Sequence, residues 1–498
     1  MRWRGVRINW ASMDAGELAY AGIARQAKLI ASGEIGSREL VELYLGRIER
    51  YDGALNAFRV VFGERARMEA DQADARRGAG NERPLLGVPL AVKDDIDVAG
   101  EMTTFGTNAQ GAPAREDAEI VRRLRAAGAV VIGKTNVPEL CAFPWTESAT
   151  FGVTRNPWNL DRSPGGSSGG TAAAVAAGLV GAGLAADGGG SIRFPAAYCG
   201  LFGLKTQRGR VPLAPHVDAW RGLSVNGVLT RTVEDSALFY DAVAEGAPDP
   251  GAPEVPASSL LGVLGQSAGG ATHGSANGSP SGRALRIAVA SELPPSPLTR
   301  LAVENGAALA ETATLLGALG HEVERCEIDF GPLAPAPEFT ARYLRSLHEE
   351  AASLAYPERL ERRMRTIARI GGLLARPSVA EWLRGREEEF TKRMNAPLEE
   401  HDVLLMPVTP GPAPRIGACE GRGWLWTMAV AAAAVPYAAC WNVTGQPACS
   451  VPVGLAGDGL PRAVQLVGRR NDEATLIGLA AQIEAQRPWA QARPPGFE

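Results

Sequence analysis

The stretch from 163 to 193, SPGGSSGGTAAAVAAGLVGAGLAADGGGSIR, limits what this chain can fold into more than any other. Two clusters of glycine and serine enclose TAAAVAAGLV, a run of small apolar residues suited to a helix buried against a sheet. A flexible linker has no use for such a helix. Glycines on either side of a packed helix mark backbone turns with positive φ, or places where a ligand comes close to the main chain. Ser167 and Ser191 lie in the two clusters, 24 residues apart (191 − 167).

A serine becomes a nucleophile only beside a base. The five histidines are His216, His273, His321, His348 and His401, and none sits in a segment that suggests this work: His273 falls in a Gly/Ser-rich stretch, His348 and His401 in charged helical text. Lysine is the other candidate. Only five of the 51 basic residues are lysine: Lys28, Lys93, Lys134, Lys205 and Lys392. Arginine does not release its proton, so a position that must act as a base cannot be written as arginine. Lys93, in GVPLAVKDD, ends an apolar strand and is the best placed of the five. Its plainer alternative is a salt bridge to Asp94 or Asp95, because moving a lysine pKa from about 10.4 to near 7 takes roughly 4–5 kcal/mol.

Around this region the periodicity predicts an α/β chain. Residues 14–50 read as helical, with Ser37 capping a stripe of Leu40, Val41, Tyr44, Leu45 and Ile48. Strands are expected in 86–98, 129–136, 285–290, 403–406 and 449–453, and helices over 120–127, 302–319, 338–400 and 474–484. The Arg/Glu-laden faces of 302–319 and 338–400 read as solvated surface. The stretch 257–282 is mostly Gly, Ser and Ala and reads as a surface insertion or linker. The expected organisation is one large domain over 14–498, a core motif region at 86–212, and a short extension at 1–13.

Composition narrows the function. The chain has 498 residues, with 51 basic against 55 acidic side chains and a net charge of −4, so no basic stripe for nucleic acid is expected. Six cysteines (Cys141, Cys199, Cys326, Cys419, Cys440, Cys449) show neither zinc-ligand spacing nor a disulfide pattern. MRWRGVRINWASM is positively charged without an apolar core, so it does not read as a secretory signal, and Met13 is an alternative start to Met1. The longest apolar run, Met428 to Trp441, contains Pro436 and is too short for a membrane span. These features describe a cytoplasmic protein, monomeric or homodimeric, with no nucleic-acid or membrane partner.

Five blocks carry a resemblance that spans most of the chain: GVPLAVKDD (87–95), GKTNVPEL (133–140), TRNPWNLDRSPGGSSGGTAAAVAAG (154–178), ADGGGSIRFPAAYCGLFGLKTQRGRVP (186–212) and GQPACSVPVGLAGDGLP (445–461). In this order they resemble the amidase signature family. The resemblance implies a central mixed β-sheet flanked by helices on both faces, in a serine hydrolase that needs no cofactor or metal. It implies a Ser-Ser-Lys triad that cleaves amide C–N bonds through an acyl-enzyme. Ser191 would be the nucleophile, Ser167, in a cis peptide, the proton relay, and Lys93 the base. Backbone N–H groups of Gly188, Gly189, Gly190 and Ser191 would form the oxyanion hole, with Ser168 orienting the relay and Asp187 and Arg193 as structural supports.

The chain departs from the family pattern where Ala186 replaces Thr, Gly188 replaces a bulkier residue and Asp95 stands in place of Asn. Asp95, which would raise the Lys93 pKa if it pointed inward, is expected to point away. Phe143, Trp145, Trp220, Trp424 and Trp441, with Pro144 and Trp426, are candidates for the substrate pocket and lean towards small, aryl or apolar amides. The same triad would also act on carbamates, as in the urethane-cleaving relatives. Two other readings stay open: the glutamine-hydrolysing subunit of a tRNA-dependent amidotransferase, and a G-x-S-x-G esterase with Ser167 as nucleophile. The second requires an apolar strand leading into Ser167, whereas the text there is NPWNLDRSP.

Overall fold

A computed structural model describes residues 14–244, 259–269, 283–292, 294, 299–332 and 336–498. The 1–13 extension, with the choice between Met1 and Met13, lies outside these residues, as do 257–258 and 270–282 of the expected insertion. The strands are β1 (Phe58–Val61), β2 (Pro89–Lys93), β3 (Val130–Thr135), β4 (Glu147–Ser148), β5 (Gly152–Val153), β6 (Ala182–Asp187), β7 (Phe202–Lys205), β8 (Val225–Thr230), β9 (Arg286–Val289), β10 (Glu322–Arg325), β11 (Val403–Pro407), β12 (Ala448–Leu455) and β13 (Pro461–Gly468). Among the described residues, eleven of them form one sheet in the order β1-β3-β2-β6-β8-β7-β12-β13-β11-β9-β10, and β4 pairs with β5 alone.

The sheet is mixed and flanked by helices. β2 runs parallel to β3 and β6, β9 runs parallel to β10 and β11, and the remaining ladders are antiparallel. Every residue of β2, β3 and β6 is buried, which is why these strands read as unbroken apolar runs rather than alternating ones. The predicted small-residue helix spans Gly169–Ala176, and all of its residues are buried. A helix without a polar face is a buried one, and its alanines let its backbone approach the sheet closely.

Four local expectations need correction. The N-terminal helical stretch divides into Ala15–Ala19, Ile23–Ser32 and Ser37–Leu55, broken at Gly22 and Gly33, both at positive φ. Gly36 is the cap of the third helix; Ser37 is its first residue, and its hydroxyl donates to the Gly87 carbonyl at 2.7 Å. Within 257–282, Leu260–Gly269 is a helix rather than linker. Leu260 is fully buried, and the helix packs on Val233–Ala244 and Glu473–Gln486. The region 338–400 is helical, but its first helix, Pro337–Ser353, is more than solvated surface: Phe339, Tyr343 and Leu347 are buried in a second apolar cluster beside the sheet, and Arg342 is buried on an ion pair with Glu387 at 2.8 Å. Among the described residues no helix is long and apolar enough to cross a membrane.

Candidate active site

The carboxyl ends of parallel β2, β3 and β6 lie side by side, with Lys93 opposite Thr135 in register. In open α/β sheets ligands gather at such ends. β2 delivers Lys93, and β6 ends at Asp187, from which Gly188–Ser191 turn into the helix Arg193–Cys199. Ser167 and Ser168 immediately precede the buried small-residue helix.

Lys93 Nζ donates to Ser167 Oγ at 2.9 Å and lies 3.5 Å from the Ala186 carbonyl. Lys93 is 1% exposed and Ser167 2%, and the Gly166–Ser167 peptide bond is cis. Ser191 is partly exposed and lines one small cavity together with Lys93, Ser167 and Gly188. The residues leading into Ser167 are irregular, so the strand that a nucleophile elbow requires is not there.

The orientation of Asp95 is a correction. It points inward, with Oδ2 2.8 Å from Lys93 Nζ. The reason lies one residue earlier: Asp94 is already held by Lys134 and Arg59, each at 3.0 Å, and by the Thr104 hydroxyl. Asp95 is the carboxylate left to balance a buried ammonium. Burial is the largest single influence and would lower the Lys93 pKa, but the charge and hydrogen bond of Asp95 together with the other acidic groups around it outweigh burial, and Lys93 is held above its ordinary value. Cys141, at φ 53°, places its thiol 3.6 Å from the same Asp95 carboxylate. Burial pushes that thiol well above its usual pKa, so it stands there uncharged.

The turn after β6 is braced from below. Asp187 and Arg193 are both fully buried and meet through two hydrogen bonds, 3.0 and 2.9 Å. Arg193 also donates to Gln465 at 2.8 Å and Asn442 at 2.7 Å, and Asn442 returns two bonds to Asp187. Burial opposes the Asp187 charge, yet Arg193 and Asn442 hold its carboxyl well below the usual range. Asp187 accepts from the N–H of Gly190 at 2.7 Å. Of the four expected oxyanion donors, Gly190 is therefore already committed, whereas the N–H groups of Gly188, Gly189 and Ser191 have no acceptor among the described residues. Gly190 has φ 122°, which a side chain would strain, and a Cβ on Gly188 would come within 3.0 Å of the Trp220 ring. That contact accounts for the missing bulk at position 188. Ser168 Oγ bonds the Ala186 backbone, donating at 3.3 Å and accepting at 3.4 Å, so it fixes the end of β6.

Two larger chambers adjoin the small cavity of Lys93, Ser167 and Ser191. One is an apolar slot of about 70 Å³, lined by Phe143, Gly189, Ser191, Phe339, Tyr343 and Met428. Trp220 stands between this slot and the other chamber and lines both. Of the expected pocket residues, Phe143 and Trp220 are therefore in place, with Pro144 beside them. Trp441 is fully buried and Trp145 is 4% exposed, stacked on Phe143 at 5.2 Å, so both are core. Trp424 packs at the start of the helix Trp424–Ala434, outside the lining, and Trp426 is half exposed. The reading from sequence missed Phe339, Tyr343 and Glu350, which the helix Pro337–Ser353 brings to the site, and Met428, Ala431 and Val435. The signal in the first case was the four-residue spacing of Phe339 and Tyr343.

A sheet with this strand order carries a buried lysine–serine pair beside a second serine at a glycine turn, an arrangement compatible with amide hydrolysis. The comparisons agree. The Amidase family model matches residues 39–477. AmiB2 of Mycobacterium tuberculosis strain H37Rv is 48% identical over 483 residues, covering 97% of this chain and 99% of the relative. The solved 6-aminohexanoate cyclic dimer hydrolase superposes with a TM-score of 0.83 at 29% identity, covering 97% of this chain and 99% of that one. A bacterial aryl acylamidase of the amidase signature family superposes with a TM-score of 0.78 at 25% identity, covering 96% and 97%. The chain belongs to the amidase signature family of amide hydrolases.

Proposed function

We propose that this protein hydrolyses small amides of apolar or aryl acids through an acyl-enzyme on Ser191. The carrying observation is the 2.9 Å contact between buried Lys93 and Ser167 beside a partly exposed Ser191. Ser191 Oγ attacks the carbonyl carbon while its proton passes to Ser167 and the Ser167 proton passes to Lys93. Lys93 accepts it as the neutral amine, the form left once its own proton has been lost to solvent, and the Asp95 carboxylate at 2.8 Å then balances the ammonium that results. The oxyanion is met by the N–H groups of Gly188, Gly189 and Ser191, free donors that need not reorganise. The C–N bond then breaks as the proton returns through Ser167 to the leaving nitrogen, and water removes the acyl group by the same relay.

The apolar slot supports an apolar or aryl acyl group. A carbamate presents the same carbonyl with one added ester oxygen and fits the same relay. The glutaminase reading has less support. Lys93 is the one basic side chain lining the two cavities that touch Ser191, among the described residues, and it is spent on Asp95 and Ser167, leaving no clamp there for an amino-acid carboxylate. The test is mass-spectrometric mapping of the adduct left by a fluorophosphonate, with Lys93→Ala run beside the wild type. The expected result is an adduct on Ser191 that weakens in Lys93→Ala; an adduct on Ser167 alone overturns the assignment.

A further inference from the structure

Beyond Trp220, the small cavity that holds Lys93, Ser167 and Ser191 continues into a vestibule of about 430 Å³. The two share Asp95, Phe105, Ala186, Trp220, Ser224 and Glu350 as walls. The leaving nitrogen must lie within reach of Ser167 and Lys93 to be protonated, so the leaving group faces this side and the acyl group faces the apolar slot. The vestibule is acidic. Among the described residues Asp95, Asp97, Asp218, Glu349 and Glu350 line it against His216 and a single arginine, Arg221, which is already paired with Glu349 at 2.7 Å. Asp95 is balanced by Lys93 and Asp218 by Arg384, so Asp97 and Glu350 are the lining carboxyls with no ion pair among the described residues.

A second, independent feature marks the vestibule as built for a polar guest. Ser346 is 4% exposed, lines it, and its hydroxyl has no hydrogen-bond partner among the described residues; the buried Oε2 of Glu350 and Oδ1 of Asp95 are likewise unpartnered there. Buried polar atoms without partners are uncommon and call for a missing donor or acceptor. Ser346, Glu350 and Ser353 recur at i, i+4 and i+7 on the helix Pro337–Ser353, so one face of that helix presents them together. Trp220 Nε1 donates to Glu350 Oε1 and leaves Oε2 for the guest.

We infer that the vestibule is a leaving-group subsite for amines that carry a second, cationic amino group, so that N-(aminoalkyl) amides of short apolar or aromatic acids are the preferred substrates. This rests on the amidase reading above. The experiment compares benzoyl amides of cadaverine, n-pentylamine and δ-aminovaleric acid, which share chain length and differ in terminal charge. The expected order of kcat/KM is cadaverine, then pentylamine, then aminovalerate, with about tenfold or more between the ends, a spread that added salt narrows. In Glu350→Gln combined with Asp97→Asn, substitutions that keep side-chain size, the spread is expected to collapse. A pentylamine or aminovalerate amide turned over as well as the cadaverine amide overturns the subsite while leaving the amidase reading intact. Protection of Ser191 from the fluorophosphonate by free cadaverine but not by n-pentanol reads the same site without turnover, and equal protection by both overturns it. If the reagent never labels Ser191 and no amide is cleaved, the amidase reading fails and takes the subsite with it.

Discussion

Lys93 and Asp95 stand two positions apart, and their pairing sets the protonation chemistry of the site. Lys93 accepts a proton only when neutral, so turnover rises with pH through its pKa, and Asp95 holds that pKa above the ordinary value. Removing the carboxylate lets burial dominate and lowers the pKa. Asp95→Asn is therefore expected to move the acid limb of the kcat/KM profile to lower pH, while Asp95→Glu keeps it high; a pH–rate profile on one benzamide checks both. Lys93→Ala removes base and acid together and is expected to lower kcat by about 10²–10⁴-fold. Ser191→Ala is expected to leave no acyl-enzyme by mass spectrometry. Glu350 adds a pH effect of its own. Burial, aided by the charges of Asp95 and Glu349, pushes its carboxyl up to about 8 against the bond from Trp220 and the charge of Lys93. A group with this pKa gains its charge as pH climbs towards 8, so KM for the cadaverine amide is expected to fall over that range. The pentylamine amide serves as the control and is expected to show no such fall.

The helix Pro337–Ser353 is the element that divides substrate between the two chambers. Phe339 and Tyr343, one turn apart, stack at 5.7 Å and wall the apolar slot, while Ser346, Glu350 and Ser353 wall the vestibule. The ring of Phe339 closes to within 3.0 Å of where a Cβ on Gly189 would lie, so it bounds the acyl group directly beside an expected oxyanion donor. Phe339→Leu is expected to widen the slot and raise kcat/KM for naphthoyl over benzoyl amides, at about 1 kcal/mol in stability; paired kinetics and a denaturation midpoint check it. This helix also shows what sequence conveys. Lys93, Ser167 and Ser191 stood out because each lies in a short motif whose residue types are needed locally: the strand end, the glycine turns and the small-residue helix. Of the eleven strands in the sheet, five (β2, β3, β9, β11 and β12) were readable from their apolar runs. The walls were not, because their identity depends on packing between segments some 150 residues apart, and an amphipathic helix does not announce what its apolar face meets. Trp441 and Trp145 were drawn to the pocket by residue type alone, and burial places them in the core. Asp95 could not be oriented from sequence either, since its direction depends on Lys134 and Arg59 having claimed Asp94.

At the scale of the whole molecule, the site is held by a fully buried polar network that joins distant parts of the chain. Arg193 reaches from the turn after β6 to Gln465 on β13 and to Asn442 on the helix Ala439–Thr444, and Asn442 closes the ring on Asp187 and the Leu223 carbonyl. The glycine turn that presents Ser191 is therefore positioned by the middle of the sheet and by a helix some 250 residues later in the chain. Removing one charge of a buried pair leaves the other uncompensated, a loss of about 3–5 kcal/mol. Asp187→Asn keeps shape and hydrogen-bonding capacity but strands the Arg193 guanidinium, so thermal unfolding is expected to fall by several degrees. Turnover is expected to drop as well, because the Gly190 N–H loses its charged acceptor and the turn loosens. The pH dependence has a definite sign. The folded Asp187 carboxyl titrates below its unfolded counterpart, so its contribution is complete above the ordinary carboxylate pKa of about 3.9 and is lost as pH falls below that. Wild type is thus expected to lose stability steeply in acid, and Asp187→Asn less steeply, the two unfolding curves converging as pH drops. Parallel curves over the same range would mean that the network holds the turn by shape alone and not by charge.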